Sequence, residues 1–583
     1  MMPALPPRSA VSLEMLQRRI RVALGKEPGD LLLTGGQVVN VFTCRVEPAN
    51  VVLADGWIAS VGPFDWPARE RIDVGGRFVL PGLIDPHMHL ESTLLLPAEL
   101  ARLIVPHGTS ATISDSHEVG NVLGIPGIEL LMRASEGLPF DLFFTASSCV
   151  PATRWEDAGA ALGPAEVGRL LDHPRVLGLA EMMDIPAVLS GDPYVLEKIQ
   201  AAAARQRTAD GHAPGMSGRD LAAYVAAGMR SDHESSTAEE ARAKAALGML
   251  VQVREGSSAR NLDALLPLLA AGELGDHWCL CTDDVLPDDL RRDGHLDGLL
   301  RRLVAGGVEP ASAVRHASLV PARHYGLTDR GAVVPGYRAD LVIVADLCDF
   351  RPEQVFKDGR RVAQDGQLLA EVPPARVERV NTVRLTPVSE AAFQLPLRGE
   401  ACPVIRVVAN QIVTRSEVMP VKRVDGRWAF DPERDVQLIA SLERHRATGR
   451  VGIGLVSGFG LRRGALGSTQ AHDSHNVLVV GTNPRDMLVC VRRLAETGGG
   501  FVAVADGQVL AELPLPVAGL LSTEHAEAVC RQLRAVRQAA HQLGCPLACP
   551  FGQLSFLALP VIPELRITAQ GLFEVGRQEF VRY

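Results

Sequence analysis

Short apolar runs that end in polar, chemically versatile residues recur along this chain, and their spacing predicts its elements. Leu13, Leu16, Ile20, Val22 and Leu24 fall at helical spacing and predict a short amphipathic helix. Asp30 to Gly36, Val38 to Val41 and Val51 to Gly62 predict strands, the last folded as a hairpin around Asp55-Gly56. The apolar run Phe78 to Ile84 reads as a buried strand that leads directly into His87-Met88-His89. From 81 to about 330, apolar runs alternate with helical patterns, which predicts repeated βα units. Three stretches after that return to strand character: Gly331 to Gly336, Ala339 to Val344 and Val355 to Gly359. They are expected to complete the sheet begun before residue 80 in a β-sandwich-like composite domain. A Pro- and Arg-containing stretch, about 372 to 400, reads as a linker. The rest predicts a further α/β domain with glycine-rich turns.

The 583 residues exceed one compact core, so two to four domains are expected. The expected division is 1–80 (helix and first β-rich part), 81–330 (barrel), 331–375 (returning strands) and 395–583 (C-terminal domain). Apolar content of 47% with 22% charge describes an ordinary globular chain. A net charge of −9 with no long basic run argues against a nucleic-acid surface. No apolar stretch has the length of a membrane span, and the first twenty residues lack the order of a signal peptide. Ten scattered cysteines fit free thiols in a reducing cytoplasm.

Candidate chemistry sits where the apolar runs end. Residues i and i+2 of a strand share a face, so His87 and His89 aim two imidazoles at one point. Glu181 follows Val176 to Ala180, His212 follows Thr208 to Gly211, and His233 follows Met229 to Asp232. Asp283 follows Cys279 to Thr282, and His117-Glu118 follow Thr109 to Asp115. Singly, each is as easily a helix cap or turn residue. In sequence along one βα-repeating stretch, they predict a single site at the strand C-termini of a (β/α)8 TIM-like barrel. The donors are nitrogen and oxygen with no clear thiolate, which favours Mn, Fe or Zn. Six ligands exceed one tetrahedral site, so two metals sharing a carboxylate are expected.

The order of these motifs resembles the amidohydrolase superfamily and, within it, bacterial adenine deaminases. The likeness rests on Pro81 to Thr93, Val105 to Thr109, Ser116 to Gly124 and Ala180 to Met183. It continues through Asp210 to Gly215, Ser231 to Glu234, Arg254 to Ser257 and Cys281 to Asp284. Ala471 to Asn476 and Leu554 to Pro563 resemble that family's additional C-terminal domain. Hydantoinase-like relatives bridge their metals with a carboxylated lysine. Between residues 81 and 335 this chain has only Lys198 and Lys244, both in helical patterns. The resemblance places Glu181 in the bridging role instead. Ser116 departs from the proline expected before His117. The His-x-Glu of zinc base deaminases recurs as His89-Leu90-Glu91, but their Pro-Cys-x-x-Cys is missing from the sequence.

The resemblance implies hydrolytic deamination of adenine to hypoxanthine and ammonia, with hydroxide attacking C6 after a metal has lowered the pKa of its water from ~16 towards ~7. His87, His89, Glu181, His212, His233 and Asp283 would hold the metals, with Glu181 and Asp283 in the reaction itself. Asp283 would carry the water proton to the ring or the leaving amine. Glu91, His117, Glu118 and Asp284 are candidate contacts to the purine. Another amino-heterocycle or cyclic-amide hydrolase, and a scaffold without activity, are the competing readings. A small-molecule substrate and a homodimer are the expected partners. His472-Asp473-Ser474-His475 is open to three readings: a cover for the mouth, another metal site, or structural hydrogen bonding.

Overall fold

The computed structural model describes residues 12–373, 377–409 and 411–583. The expected boundary at 375 and the first eleven residues of the 1–80 segment lie outside the described residues.

The β-rich segments before and after the barrel join in one nine-stranded sheet. Phe78–Pro81 pairs antiparallel with Leu341–Val344, so the chain leaves this sheet, builds the barrel and returns to the neighbouring position. Alternation decides which face each residue serves. Leu31 and Leu33 enter one core with Val51, Leu53, Ile58 and Ile343. Leu32 points the other way, onto Val22 of the helix Leu13–Ala23. The hairpin forms at Asp55-Gly56, with φ of 53° and 80°. Asp30 to Val41 is one strand, Gly29–Asn40, with an irregularity between Leu33 and Gly36. The expected strand Gly331 to Gly336 is a loop. Gly331 and Gly336 take φ of 87° and 84°, and Pro335 has no N–H to donate to a ladder.

The run Phe78 to Ile84 is two strands rather than one. It divides at Gly82, where the chain crosses from the composite sheet to the barrel. A Cβ at Gly82 would stand 2.4 Å from Ser110 Oγ, so the crossing needs glycine. The barrel strands are β1 Leu83–Met88, β2 Thr109–Asp115, β3 Asp141–Ala146 and β4 Val176–Met182. They continue as β5 Thr208–Gly211, β6 Ser231–Asp232, β7 Leu250–Arg254 and β8 Trp278–Cys281. All pair in parallel, as arcs of five and three strands. Two seams close the ring. Arg230 N–H donates to Ala209 C=O at 2.8 Å, and Met88 bridges Asp283 in parallel. This is the (β/α)8 barrel the apolar runs predict.

The C-terminal domain is an eight-stranded sheet with a core on each face. Leu438, Ala440 and Val479 pack under the helix Pro484–Thr497. Ile439, Leu478 and Val480 pack under the helix Ala526–Gln542. Val383, Phe393, Leu395 and Leu397, within the stretch read as a linker, are buried in this domain's core. Gly452 and Gly454 lie inside the strand Val451–Ser457, not in turns. Leu94 and Leu95, just past β1, insert into the same domain. Burial at about 1.5–3 kcal/mol per side chain holds the domain over the strand ends.

Candidate metal centre and active site

Each of the six expected ligands lies in or just past the C-terminal end of its strand: His87 in β1, His89 beyond it, Glu181 in β4, and His212, His233 and Asp283 after β5, β6 and β8. All six are buried. Glu181 is their centre, and its two oxygens face different imidazoles. Oε1 lies 3.3 Å from His89 Nε2, 3.8 Å from His117 Nδ1 and 4.0 Å from His87 Nε2. Oε2 lies 2.7 Å from His212 Nδ1 and 3.2 Å from His233 Nε2. Asp283 Oδ1 closes the first group, 3.2 Å from His87 Nε2 and 3.0 Å from His89 Nε2.

The donor set fits a divalent cation on chemical grounds. His89 Nδ1 donates to the Asp115 carbonyl at 3.1 Å, and a carbonyl can only accept. The proton of neutral His89 is therefore on Nδ1, which turns the Nε2 lone pair toward two carboxylates. A divalent cation between such a lone pair and the carboxylate oxygens satisfies both in a buried site, as a proton on the imidazole also does. His212 Nε2 is likewise buried without a partner. Burial opposes charge on His87 and His89, but Asp283 and its neighbours raise both imidazoles. Burial also opposes charge on Glu181, yet His233, His212 and His89 hold it well below the usual carboxylate range.

Asp283 is held on three sides. Its N–H donates to His87 C=O at 3.0 Å, its C=O accepts from His89 N–H at 3.3 Å, and its φ is 58°. Arg254, at the end of β7, donates to Asp283 Oδ2 at 3.0 Å and forks onto Glu234. Despite burial, Arg254 and the two histidines keep Asp283 well below the carboxylate range. Glu234 Oε1 also lies 3.5 Å from both His212 and His233.

The cavity over this cluster is lined by His117, Asp284, Met183, Ile412 and Phe556, and by His472 and Asp473 of the C-terminal domain. Of the expected purine contacts, His117 and Asp284 are in its wall. Glu91 and Glu118 are not. Glu91 Oε1 accepts the Val119 N–H at 3.0 Å, at the start of the helix His117–Leu123. Glu118 Oε1 accepts from Ser92 Oγ at 3.1 Å and stands 3.5 Å from His472 Nδ1. Burial, then Glu118, pushes Glu91 up to about 8. His472 and Asp473 stand in the cavity wall, His472 N–H is tied to Ser555 C=O at 3.2 Å, and His475 Nδ1 accepts the Ala471 N–H at 3.1 Å.

Asp115, Glu234 and Arg254 were given no role on sequence alone. Arg254 carried a usable signal, a lone charge ending an apolar strand. Asp473 stood out only as part of the His472 to His475 segment, and the folded chain brings it to His117, 3.6 Å away. The two lysines are also accounted for. Lys198 donates to Ser148 C=O and Lys244 to Asp232, each at 2.7 Å.

Residues 78–362 match the amidohydrolase family, and 411–579 match the adenine deaminase C-terminal domain. The chain is 46% identical to an adenine deaminase of Methanothrix thermoacetophila, over 95% of this chain and 97% of that one. It is 43% identical to an adenine deaminase of Desulfatibacillum aliphaticivorans, over 96% and 98%. A third, from Nitratidesulfovibrio vulgaris, is 44% identical over 97% and 98%. Along nearly its whole length, barrel and C-terminal domain together, this chain belongs to the adenine deaminase family of amidohydrolases.

Proposed function

We propose that this chain hydrolyses adenine to hypoxanthine and ammonia at a centre of two divalent metals. His87, His89, His212, His233, Glu181 and Asp283 would hold them. The observation that carries the reading is the split of Glu181, one oxygen toward His87 and His89 and the other toward His212 and His233. That is the arrangement of a bridging carboxylate. Neither Lys198 nor Lys244 is free to bridge, which disfavours the cyclic-amide reading. Nitrogen and oxygen donors suit Mn or Fe, with Zn the third choice.

Divalent metals bound here supply an acidic water at neutral pH and a Lewis acid at the substrate. The chain's own residues do the rest. Asp283 accepts the proton of the attacking water and returns it to the ring nitrogen or leaving amine. Arg254 keeps that carboxylate ionised and aimed through Oδ2. Met183, Ile412, Phe556, Leu559 and Ile562 give a flat base apolar walls and exclude water. His117 and Asp284 offer polar contacts at its edge.

Among the described residues no helix is long and apolar enough to cross a membrane, and no cysteine is in a disulfide. A reducing cytoplasm and a homodimer complete the proposal. The test is ammonia release by the Mn(II)-loaded protein with adenine, adenosine and a hydantoin in parallel. Release from adenine, abolished by chelator, supports the reading. Bound metal with no release from adenine refutes the substrate.

A further inference from the structure

We propose that Asp473, supplied by the C-terminal domain, determines specificity by accepting the imidazole N–H of a free purine base. The site would thereby select bases over their N9-substituted nucleosides. This inference rests on the adenine reading above and deepens it.

Asp473 differs from the other carboxylates of the cavity wall. Those of Glu181, Glu234 and Asp283 are engaged by imidazoles or Arg254, and that of Asp284 accepts from Ser92 Oγ. Asp473 is 1% exposed, and its Oδ2 has no hydrogen-bond partner. Its Oδ1 stands 3.6 Å from both His117 Nε2 and His472 Nδ1. Burial disfavours its charge, but these two histidines hold it well below the carboxylate range. Asp473 is therefore ionised and can only accept. Glu156, pushed up to about 8 by burial and Asp473, keeps its proton at neutral pH and competes with a ligand for this carboxylate, while its Oε2 is held by Thr153 N–H at 3.0 Å. Asp473 lines the cavity, and the donor that meets it there arrives with the ligand.

Adenine carries two kinds of N–H. The 6-amino group is at the reacting carbon, which must face Glu181 and Asp283. The other is the imidazole N–H, on the far ring. Asp473 stands across the His117 ring from Glu181: His117 Nδ1 is 3.8 Å from Glu181 and Nε2 is 3.6 Å from Asp473. One imidazole therefore separates the two carboxylates, much as the purine separates C6 from its imidazole nitrogens. Phe556, stacked on His472 at 4.5 Å and 18°, adds an aromatic ring to the cavity wall. A nucleoside has no imidazole N–H and places a sugar near the same carboxylate. Sites built to bond a ligand N–H reject analogues lacking it by up to ~10⁴-fold.

The test compares adenine with 9-methyladenine, on the full-length Mn(II)-loaded protein and its Asp473→Asn variant. In the wild type, 9-methyladenine should inhibit at a constant at least about 100-fold above the KM for adenine. In Asp473→Asn, KM for adenine should rise at least about tenfold. The inhibition constant of 9-methyladenine should change less than about threefold, because its complex never used the bond. Equal weakening of both ligands would overturn the proposal and leave Asp473 as a support for His117. Equal binding of the two by the wild type would overturn it without any variant, even if Asp473→Asn fails to fold. Absence of ammonia from adenine in the wild type would instead refute the parent reading. Normal turnover of adenine by the wild type, with 9-methyladenine bound equally well, would refute this inference alone.

Discussion

The barrel holds two buried charged clusters, one at each end, and they are built from opposite partners. At the strand C-termini, Glu181 and Asp283 face four imidazoles. At the strand N-termini, Asp141, the first residue of β3, faces Lys357 at 2.9 Å and Arg330. Lys357 also meets Asp340 at 2.8 Å. Guanidinium and ammonium are always charged, carry their own protons and fill the carboxylate lone pairs. The lower cluster is thus complete within the chain, and it ties the barrel to the composite sheet. Imidazole offers a lone pair as readily as a proton. The upper cluster can therefore take divalent cations where the lower one cannot. Stability chemistry and reaction chemistry are thus separated along one barrel axis, as expected for this fold.

The comparison breaks first at Asp283. Asp283→Asn keeps the size of the side chain and removes the base, so turnover on adenine should fall ~10²–10⁴-fold with an unchanged circular dichroism spectrum. Near-normal turnover would take Asp283 out of the reaction. Removing metal tests the upper cluster as a whole. Chelation should abolish ammonia release and lower the melting temperature, since saturating metal at ~1,000 times its Kd contributes about 4 kcal/mol. An unchanged melt would mean that the imidazoles satisfy the carboxylates unaided.

Asp141→Asn probes the lower cluster. It leaves Lys357 and Arg330 buried with one fewer anion and should cost about 3–5 kcal/mol in denaturant unfolding. The kcat at a temperature where the variant is folded should stay within about twofold of wild type. A large drop would show the two ends to be coupled. The smallest effect concerns Asp232, which pairs with Lys244 below His233. Burial raises its pKa, but Lys244 and His233 bring it from 3.8 to about 2. A depressed carboxylate contributes its stability above the unfolded value and loses it as pH falls through the folded one. The window is therefore about pH 4 down to about pH 2, and the contribution is about 2 kcal/mol. The stability gap between wild type and Lys244→Met should narrow across that window. A constant gap would assign the loss to packing.

The convergence of the six candidate ligands was legible because each ends or directly follows an apolar strand, so alternation and order along the chain were enough to bring them together. The failures have physical causes. Phe78 to Ile84 reads as one strand because periodicity does not register a change of sheet; only the contact between Gly82 and Ser110 reveals it. Gly331 to Gly336 has strand-like composition, but its backbone turns at both glycines. Glu91 lies two residues past His89, but its Oε1 takes the Val119 N–H at a helix start and it is not in the cavity wall. Asp473 and His472 reach the site through packing of Leu94 and Leu95 against a separate domain. No local pattern encodes such a contact.

The central claim is that Glu181 joins two metals in one adenine-hydrolysing site. The most direct measurement is ammonia release from adenine as metal-free protein is titrated with Mn(II), with bound metal counted at each step. The account predicts that activity rises to its maximum at about two metals per chain and that Glu181→Gln retains neither the second metal nor the activity. Full activity at one metal per chain, or in Glu181→Gln, would contradict it.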